Sequence, residues 1–503
     1  MKESLDYIYK QQKELSVLGG IGALLGWDQM TYMPEMGAME KSEQSALLSK
    51  ISHEKVVSDN FWKHIKNLKK QEVFKTLSEK DKSVVKRLYI DVEKARKIPS
   101  EFVVKMAKAT TIAYQSWEKA RNKNDYKIFS PSLKEIVNLE KEYCDFFEIP
   151  GPKYNTLLDD YEEGMTVDKL KKEFLFLKNN IKSILEKIIS SKLYEQQKKE
   201  NQIRISAEIQ KKLCKHVMEK MGLPEKRARL DESTHPFTTS IGNDDVRITT
   251  SFQRKDPLFS FFSTIHEAGH ALYELGMPKE EFKDTVISDS PSLGLHESQS
   301  RFWENMIARN EMFWKYFYKF FNKQEKRLLD NFSFDDWYRY VNKVKPSLIR
   351  VEADELTYSL HVILRFEIEL GMMDDKISVE ELPQIWNEKM DELLGITPNN
   401  YVDGVLQDMH WSGGSIGYFP TYVIGSIYAS QIYNKIKNSI DNFDDSIEKA
   451  EYLMIVKWLN QNIHKYGRMY TADEIIKKAC GTGLNSKIFV DYLKEKYFKI
   501  YEI

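Results

Sequence analysis

The sequence predicts a mainly α-helical protein with one small β-sheet, and three observations carry that prediction. Glu, Lys and Leu recur throughout the 503 residues, while proline is sparse at 14. Apolar residues return at three- and four-residue spacing over long segments, the period of one helix face. One short stretch breaks this texture with β-branched residues around a polar turn.

Phe174, Leu177, Ile181, Ile184, Leu185 and Ile188 form one helical stripe, and Tyr452, Ile455, Val456, Leu459 and Ile463 form another. The polar, lysine-rich residues 190–201 read as a surface loop or frayed helix end, and 66–75 as a solvated face. The aromatic run 313–321 (FWKYFYKFF) reads as a packed core helix, because a nucleic-acid stacking platform would need positive charge around it. Residues 235–242 and 245–252, joined by the Gly-Asn-Asp-Asp turn at 242–245, read as two strands. With no repeat, low-complexity tract or Gly/Ser linker, residues 1–503 are expected to form a single domain.

Lys plus Arg total 75 against 76 Asp plus Glu, a net charge of -1, which offers no footprint for nucleic acid or an anionic membrane. Cys144, Cys214 and Cys480 are odd in number and far apart, so neither a disulfide framework nor a thiolate metal site is indicated. The N-terminal MKESLDYIYKQQKEL carries charge where a signal peptide needs an apolar run, and 19–27 is too short to span a bilayer. A cytoplasmic location is expected.

The most informative residues are His266-Glu267-Ala268-Gly269-His270, an H-E-x-x-H pattern. At about 3.6 residues per turn, His266 and His270 stack on one helix face, where two imidazoles can chelate one metal ion. Glu267, beside the first ligand, is placed to act as general base in metal-assisted hydrolysis, most plausibly of a peptide bond. Asp256 as N-cap and Pro257 at the first position open this helix, and Gly276 with Pro278 ends it. Leu258, Phe261, Phe262, Ile265, Leu272 and Leu275 make it apolar around much of its circumference, so the histidines are expected to be buried. Catalytic zinc takes a third protein ligand, and His296, Glu297 and Glu304 all compete for that place. Glu297 and Glu304 share a helix face, and spacing does not separate them.

Seven blocks carry a resemblance to the carboxypeptidase Taq family of zinc metallocarboxypeptidases. They are LLGWDQMTYMP at 24–34, HPF at 235–237, DVRIT at 245–249, HESQS at 296–300, IRVEAD at 349–354, GVLQDMHW at 404–411 and GYFPTY at 417–422, besides H-E-x-x-H itself. The resemblance implies Glu297 as third ligand of a zinc ion, for which cobalt can substitute. It also implies an almost all-helical, neurolysin-like body with a deep groove between two helical halves. A homodimer is implied too, with stepwise removal of C-terminal residues from peptides and broad side-chain tolerance.

In that reading Glu267 takes a proton from water and delivers it to the leaving amine. His410, Tyr418 and Tyr422 are the candidate donors to the oxyanion, with a core role bonded to a backbone carbonyl as the plainer fate of His410. Arg350 is the preferred clamp for the substrate carboxylate, against an intrahelical pair with Asp354. Arg247 is a second candidate, His235 could contact substrate, and His296 is expected to orient Glu297. The same metal chemistry would serve an oligoendopeptidase or a dipeptidyl carboxypeptidase. A scaffold with a structural metal would call for four ligands, usually including cysteine.

Overall fold

The computed structural model describes residues 1–503 except 198–202, 254–255, 257, 325–328 and 330–331. Helices dominate it, with one three-stranded sheet immediately before the H-E-x-x-H helix, as expected. The stripe from Phe174 to Ile188 is buried on the helix Val167–Ile189, whose first turn is capped by the Thr166 hydroxyl accepting from the Lys169 amide. The aromatic run lies on Glu311–Gln324, with Phe313, Trp314, Phe317 and Phe321 buried and Phe261 of the H-E-x-x-H helix packed among them. That satisfies the core reading. Residues 192–197 are helical, where a loop or frayed end is expected over 190–201; 198–201 lie outside the described residues.

The apolar interior falls into two clusters. The larger spans residues 113–501 and encloses the H-E-x-x-H helix. The smaller joins Ile8 of the first helix, Lys2–Thr31, to the helices of residues 59–97 and to Phe282 and Ile287. Among the described residues no helix is long and apolar enough to cross a membrane.

The sheet has three strands rather than two: β1 Ala228–Glu232, β2 Thr238–Gly242 and β3 Asp245–Thr250, in the order β1-β3-β2. β2 and β3 form the expected hairpin, with Thr238 opposite Ile248, and β1 pairs parallel to β3. β1 escapes a sequence reading because Arg229, Asp231 and Glu232 erase the apolar alternation. Two of those charges are satisfied locally, Arg229 donating to both oxygens of Asp231.

The block at 24–34 explains how the first helix meets this sheet. Trp27 lies under the Arg247 guanidinium at 4.2 Å and near that of Arg229 at 5.4 Å, contacts favoured by the ring's negative face. Tyr32 donates its hydroxyl to Asp231 at 2.9 Å. The end of the first helix is thus pinned to β1 and β3 next to the site.

Candidate active site

The H-E-x-x-H helix runs Phe259–Gly276, so its start is two to three residues later than expected. Asp256 opens the preceding turn by accepting from the Leu258 amide at 3.2 Å, and Pro257 lies outside the described residues. Gly276 ends the helix and Pro278 follows, as expected. Opposite it runs Leu293–Arg301, capped by the Ser292 hydroxyl. The two backbones approach closely at Gly269, where a Cβ would lie 2.7 Å from the Gln299 carbonyl oxygen and 2.9 Å from the Ser300 Cα. Only glycine fits there, and that approach brings Glu297 to the histidines.

His266, His270 and Glu297 offer ligand atoms all within 4.8 Å of one another. Glu297 Oε2 is 3.6 Å from His266 Nε2 and 3.4 Å from His270 Nε2, a separation one shared ion would bridge. Glu304, the rival third ligand, sits behind the site on the π-helical turn Phe302–Ile307. Its Oε2 accepts from His266 Nδ1 at 2.8 Å, which leaves the Nε2 lone pair for a metal. His296 does not orient Glu297. Its Nδ1 lies 2.6 Å from His270 Nδ1, and its Nε2 lies 2.8 Å from Glu274 Oε1. For His270 Nε2 to act as ligand, its Nδ1 carries the proton and donates it to His296, which then donates to Glu274.

Two further side chains fix the Glu297 carboxylate: Arg301 Nε donates to Oε1 at 2.7 Å and the Ser300 hydroxyl to Oε2 at 3.1 Å. Burial pushes this carboxyl up, but Arg301, then His266 and His270, hold it well below its ordinary value. Glu304 is likewise pushed up by burial and drawn down to about 2 by Arg301 and His266. For the imidazoles, burial lowers both. Glu297 and Glu304 bring His266 back up to about 9, whereas His270, beside His296, falls to about 4. His266 and His270 are half-buried rather than buried as expected, and only Glu297 is buried; two imidazoles and one ionised carboxylate, tied from behind at every ligand, fit a divalent metal ion.

Glu267 is buried, and its Oε2 accepts from the Thr238 hydroxyl at 2.6 Å. Burial raises its carboxyl above the ordinary value, against His266 and Thr238, which lower it.

The C-terminal blocks arrive on the helix Pro420–Lys437 and the loop before it. Gly425 permits the approach: a Cβ there would lie 2.8 Å from the Glu297 Cβ. Tyr418 and Tyr422 stack edge to face at 5.4 Å, and the Glu297 charge reaches both. His410 packs on Phe419 at 4.6 Å and Tyr418 at 5.4 Å, and its Nδ1 has no hydrogen-bond partner among the described residues. That replaces the expected carbonyl-bonded alternative. Burial, with help from Arg350 and Arg365 and against Asp408, lowers it to about 4.

Arg350 does not pair with Asp354. It stands on a short 3-10 turn, Arg350–Glu352, while Asp354 accepts from the Leu356 and Thr357 amides that lead into the helix Tyr358–Met373. The Arg350 guanidinium, 5% exposed, donates to Asp408 Oδ1 from Nε and NH2 and to the Tyr358 hydroxyl from NH1 at 3.0 Å. Arg247 is held by Asp245 through two hydrogen bonds of 3.0 and 2.8 Å, besides its stack on Trp27. His235 is exposed on the loop before β2. Thr238, Glu274, Arg301, Tyr358, Arg365 and Asp408 were not singled out for these roles from sequence; each is defined by what it touches across the fold.

The match to known proteins follows this geometry. The family described as carboxypeptidase Taq (M32) metallopeptidase matches residues 7–497. The chain belongs to that family. It is therefore a metallocarboxypeptidase, a hydrolase of peptide bonds. Thermostable carboxypeptidase 1 of Pyrococcus furiosus is 38% identical over 496 residues, 98% of each chain, and carboxypeptidase 1 of Bacillus subtilis is 38% identical over 97% of each. The crystal structure of an M32 carboxypeptidase from Deinococcus radiodurans R1 superposes with a TM-score of 0.95 at 32% identity, covering all of both chains. This chain and the M32 carboxypeptidases it matches are thus alike over nearly their whole lengths.

Proposed function

We propose that this M32 enzyme is a zinc-dependent carboxypeptidase that removes single residues from the free C-termini of peptides, with broad side-chain tolerance. The observation that carries the reading is the chain of contacts that joins a metal ligand to a buried cation. Glu297 binds Arg301, whose guanidinium lies 4.3 Å over the Tyr358 ring, and the Tyr358 hydroxyl accepts from Arg350. Arg301 and Tyr358 thus link the metal ligands to Arg350, the guanidinium that would take the substrate's free carboxylate. Arg350 is the preferred clamp, and Arg247, held by Asp245 and stacked on Trp27, the second candidate.

His266, His270 and Glu297 would hold zinc, or cobalt in its place. Bound there, the ion supplies Lewis acidity to a water and to the scissile carbonyl. Glu267 takes the proton of the attacking water and hands it to the departing amine, Thr238 holding the carboxylate in place. His410, neutral at pH 7, and the hydroxyls of Tyr418 and Tyr422 are the donors assigned to the developing oxyanion. β2 lies at the sheet edge, where an extended peptide can pair with its backbone, and His235 lies just before it. We also read 1–503 as one catalytic unit around a groove between helical halves, working as a homodimer in a reducing, cytoplasmic setting. Exposed Val17, Ile21, Leu24, Leu47 and Ile51 on the first two helices and three unpaired cysteines support those last points.

Digestion of one peptide with a free and with an amidated C-terminus, followed by mass spectrometry, tests the reading. Single residues should leave the free peptide only. Internal cuts in the amidated peptide would make the enzyme an oligoendopeptidase, and release of residue pairs a dipeptidyl carboxypeptidase.

A further inference from the structure

Asp408 is shared between two arginines. Arg350 donates from Nε and NH2 to Oδ1, at 3.2 and 2.9 Å. Arg365, on the helix Tyr358–Met373, donates to Oδ2 from Nε at 2.7 Å and from NH2. The ring of Phe419 lies between the two guanidiniums, 5.4 Å from one and 5.2 Å from the other. Arg365 has no exposed surface, so it is out of reach of any substrate.

The charges around this cluster can be followed group by group. His361 and His410 face it, and burial lowers them to about 3 and about 4, so both are neutral at pH 7. Glu369, one turn beyond Arg365, gives its oxygens to the Tyr154 hydroxyl, the Trp411 indole and the Gly417 amide; burial raises its carboxyl to about 7, against these donors and Arg365, so it carries part of a negative charge at pH 7. Tyr358 and Tyr422 contribute neutral hydroxyls. In direct contact, two guanidiniums therefore share a single carboxylate, and Glu369 offsets the remaining positive charge only in part. Uncompensated buried charge is costly unless an anion completes it. Were Arg365 absent, Asp408 would neutralise Arg350 alone, and the pair would have little attraction for a second carboxylate.

We propose that Arg365 is a positioning residue for substrate recognition: by engaging half of Asp408, it keeps the charge of Arg350 available to the free C-terminal carboxylate. This rests on Arg350 being the clamp, and the test separates the two ideas. Metal-loaded wild type, Arg350→Met, Arg365→Gln, Arg365→Lys and Asp408→Asn are compared by KM for a blocked peptide with a free C-terminus. Inhibition by 3-phenylpropionate and by its primary amide is measured on the same proteins.

Arg365→Gln should raise KM and cut the preference for carboxylate over amide by roughly tenfold, the scale of one lost buried charge contact. Arg365→Lys, which keeps the charge, should recover most of both. Asp408→Asn should hold or increase the preference, because it deletes the negative charge and retains an acceptor. Unchanged preference in Arg365→Gln, or a tenfold fall in Asp408→Asn, overturns the proposal; if either variant is too unstable to purify, the other decides. If Arg350→Met leaves KM and preference at wild-type values, the clamp itself is misassigned.

Discussion

The Thr238 hydroxyl stands 2.6 Å from Glu267 Oε2 and 3.0 Å from the Glu267 carbonyl oxygen, so the edge strand and the H-E-x-x-H helix meet at the proposed general base. A hydroxyl has one proton to give, and the shorter contact to the carboxylate takes it. The strand proposed to pair with a peptide therefore also holds the carboxylate proposed to deprotonate the water.

Glu267→Gln should keep its metal and lose turnover by about 10²–10⁴-fold, the usual worth of a general base. Bound metal by mass spectrometry and kcat on a blocked dipeptide check this; near wild-type kcat would remove Glu267 from the reaction.

Thr238→Val removes a donor that lowers the Glu267 carboxyl, so its value should rise further above the ordinary one. A base works only when ionised, so the acid limb of kcat/KM should move to higher pH, with a loss of about tenfold near that limb. A pH profile that overlays the wild type would show that the contact has no bearing on the base.

Glu297 and Glu304 should separate cleanly on metal binding. Glu297→Gln loses a ligand and is expected to abolish binding, whereas Glu304→Gln loses only the acceptor behind His266 and should weaken it about 10–100-fold. Equal losses in competition with a chelator would contradict the assignment.

Metal affinity should also report on His266. In the chelator-treated protein this imidazole keeps a proton up to about 9, while His270 is neutral above about 4. A ligand must shed its proton to bind, so one proton is displaced, and the association constant should rise about tenfold per pH unit from 5 to 8. A hundredfold rise per unit would mean that both histidines compete.

Glu140 should make stability fall with pH. Burial first, then Asp160 and Glu369, raise its carboxyl to about 8 in the folded chain. Between about pH 4.5 and 8 the native form keeps a proton that the unfolded chain has lost, so ionisation drains stability as pH rises. The melting temperature of Glu140→Gln should therefore gain on wild type from pH 5 to pH 8. Parallel curves would dismiss the effect.

The sequence by itself determined the helical class, the hairpin before the site, the burial of the aromatic run and the identity of His266, Glu267 and His270. Each is encoded within a turn or two of chain: apolar period, β-branched content, and two imidazoles four residues apart. Glu297 and Glu304 could not be told apart that way, because seven residues on one helix put both on the same face. The tertiary approach of two helices at Gly269 decided it, sending Glu297 to the Nε2 atoms and Glu304 to the far side of His266. The partner of Arg350 was settled the same way. Sequence proximity suggested Asp354, but a buried guanidinium takes the acceptor that packing delivers, and Asp408 comes from 58 residues away. Side-chain chemistry is local and legible; which donor meets which acceptor depends on how distant elements pack.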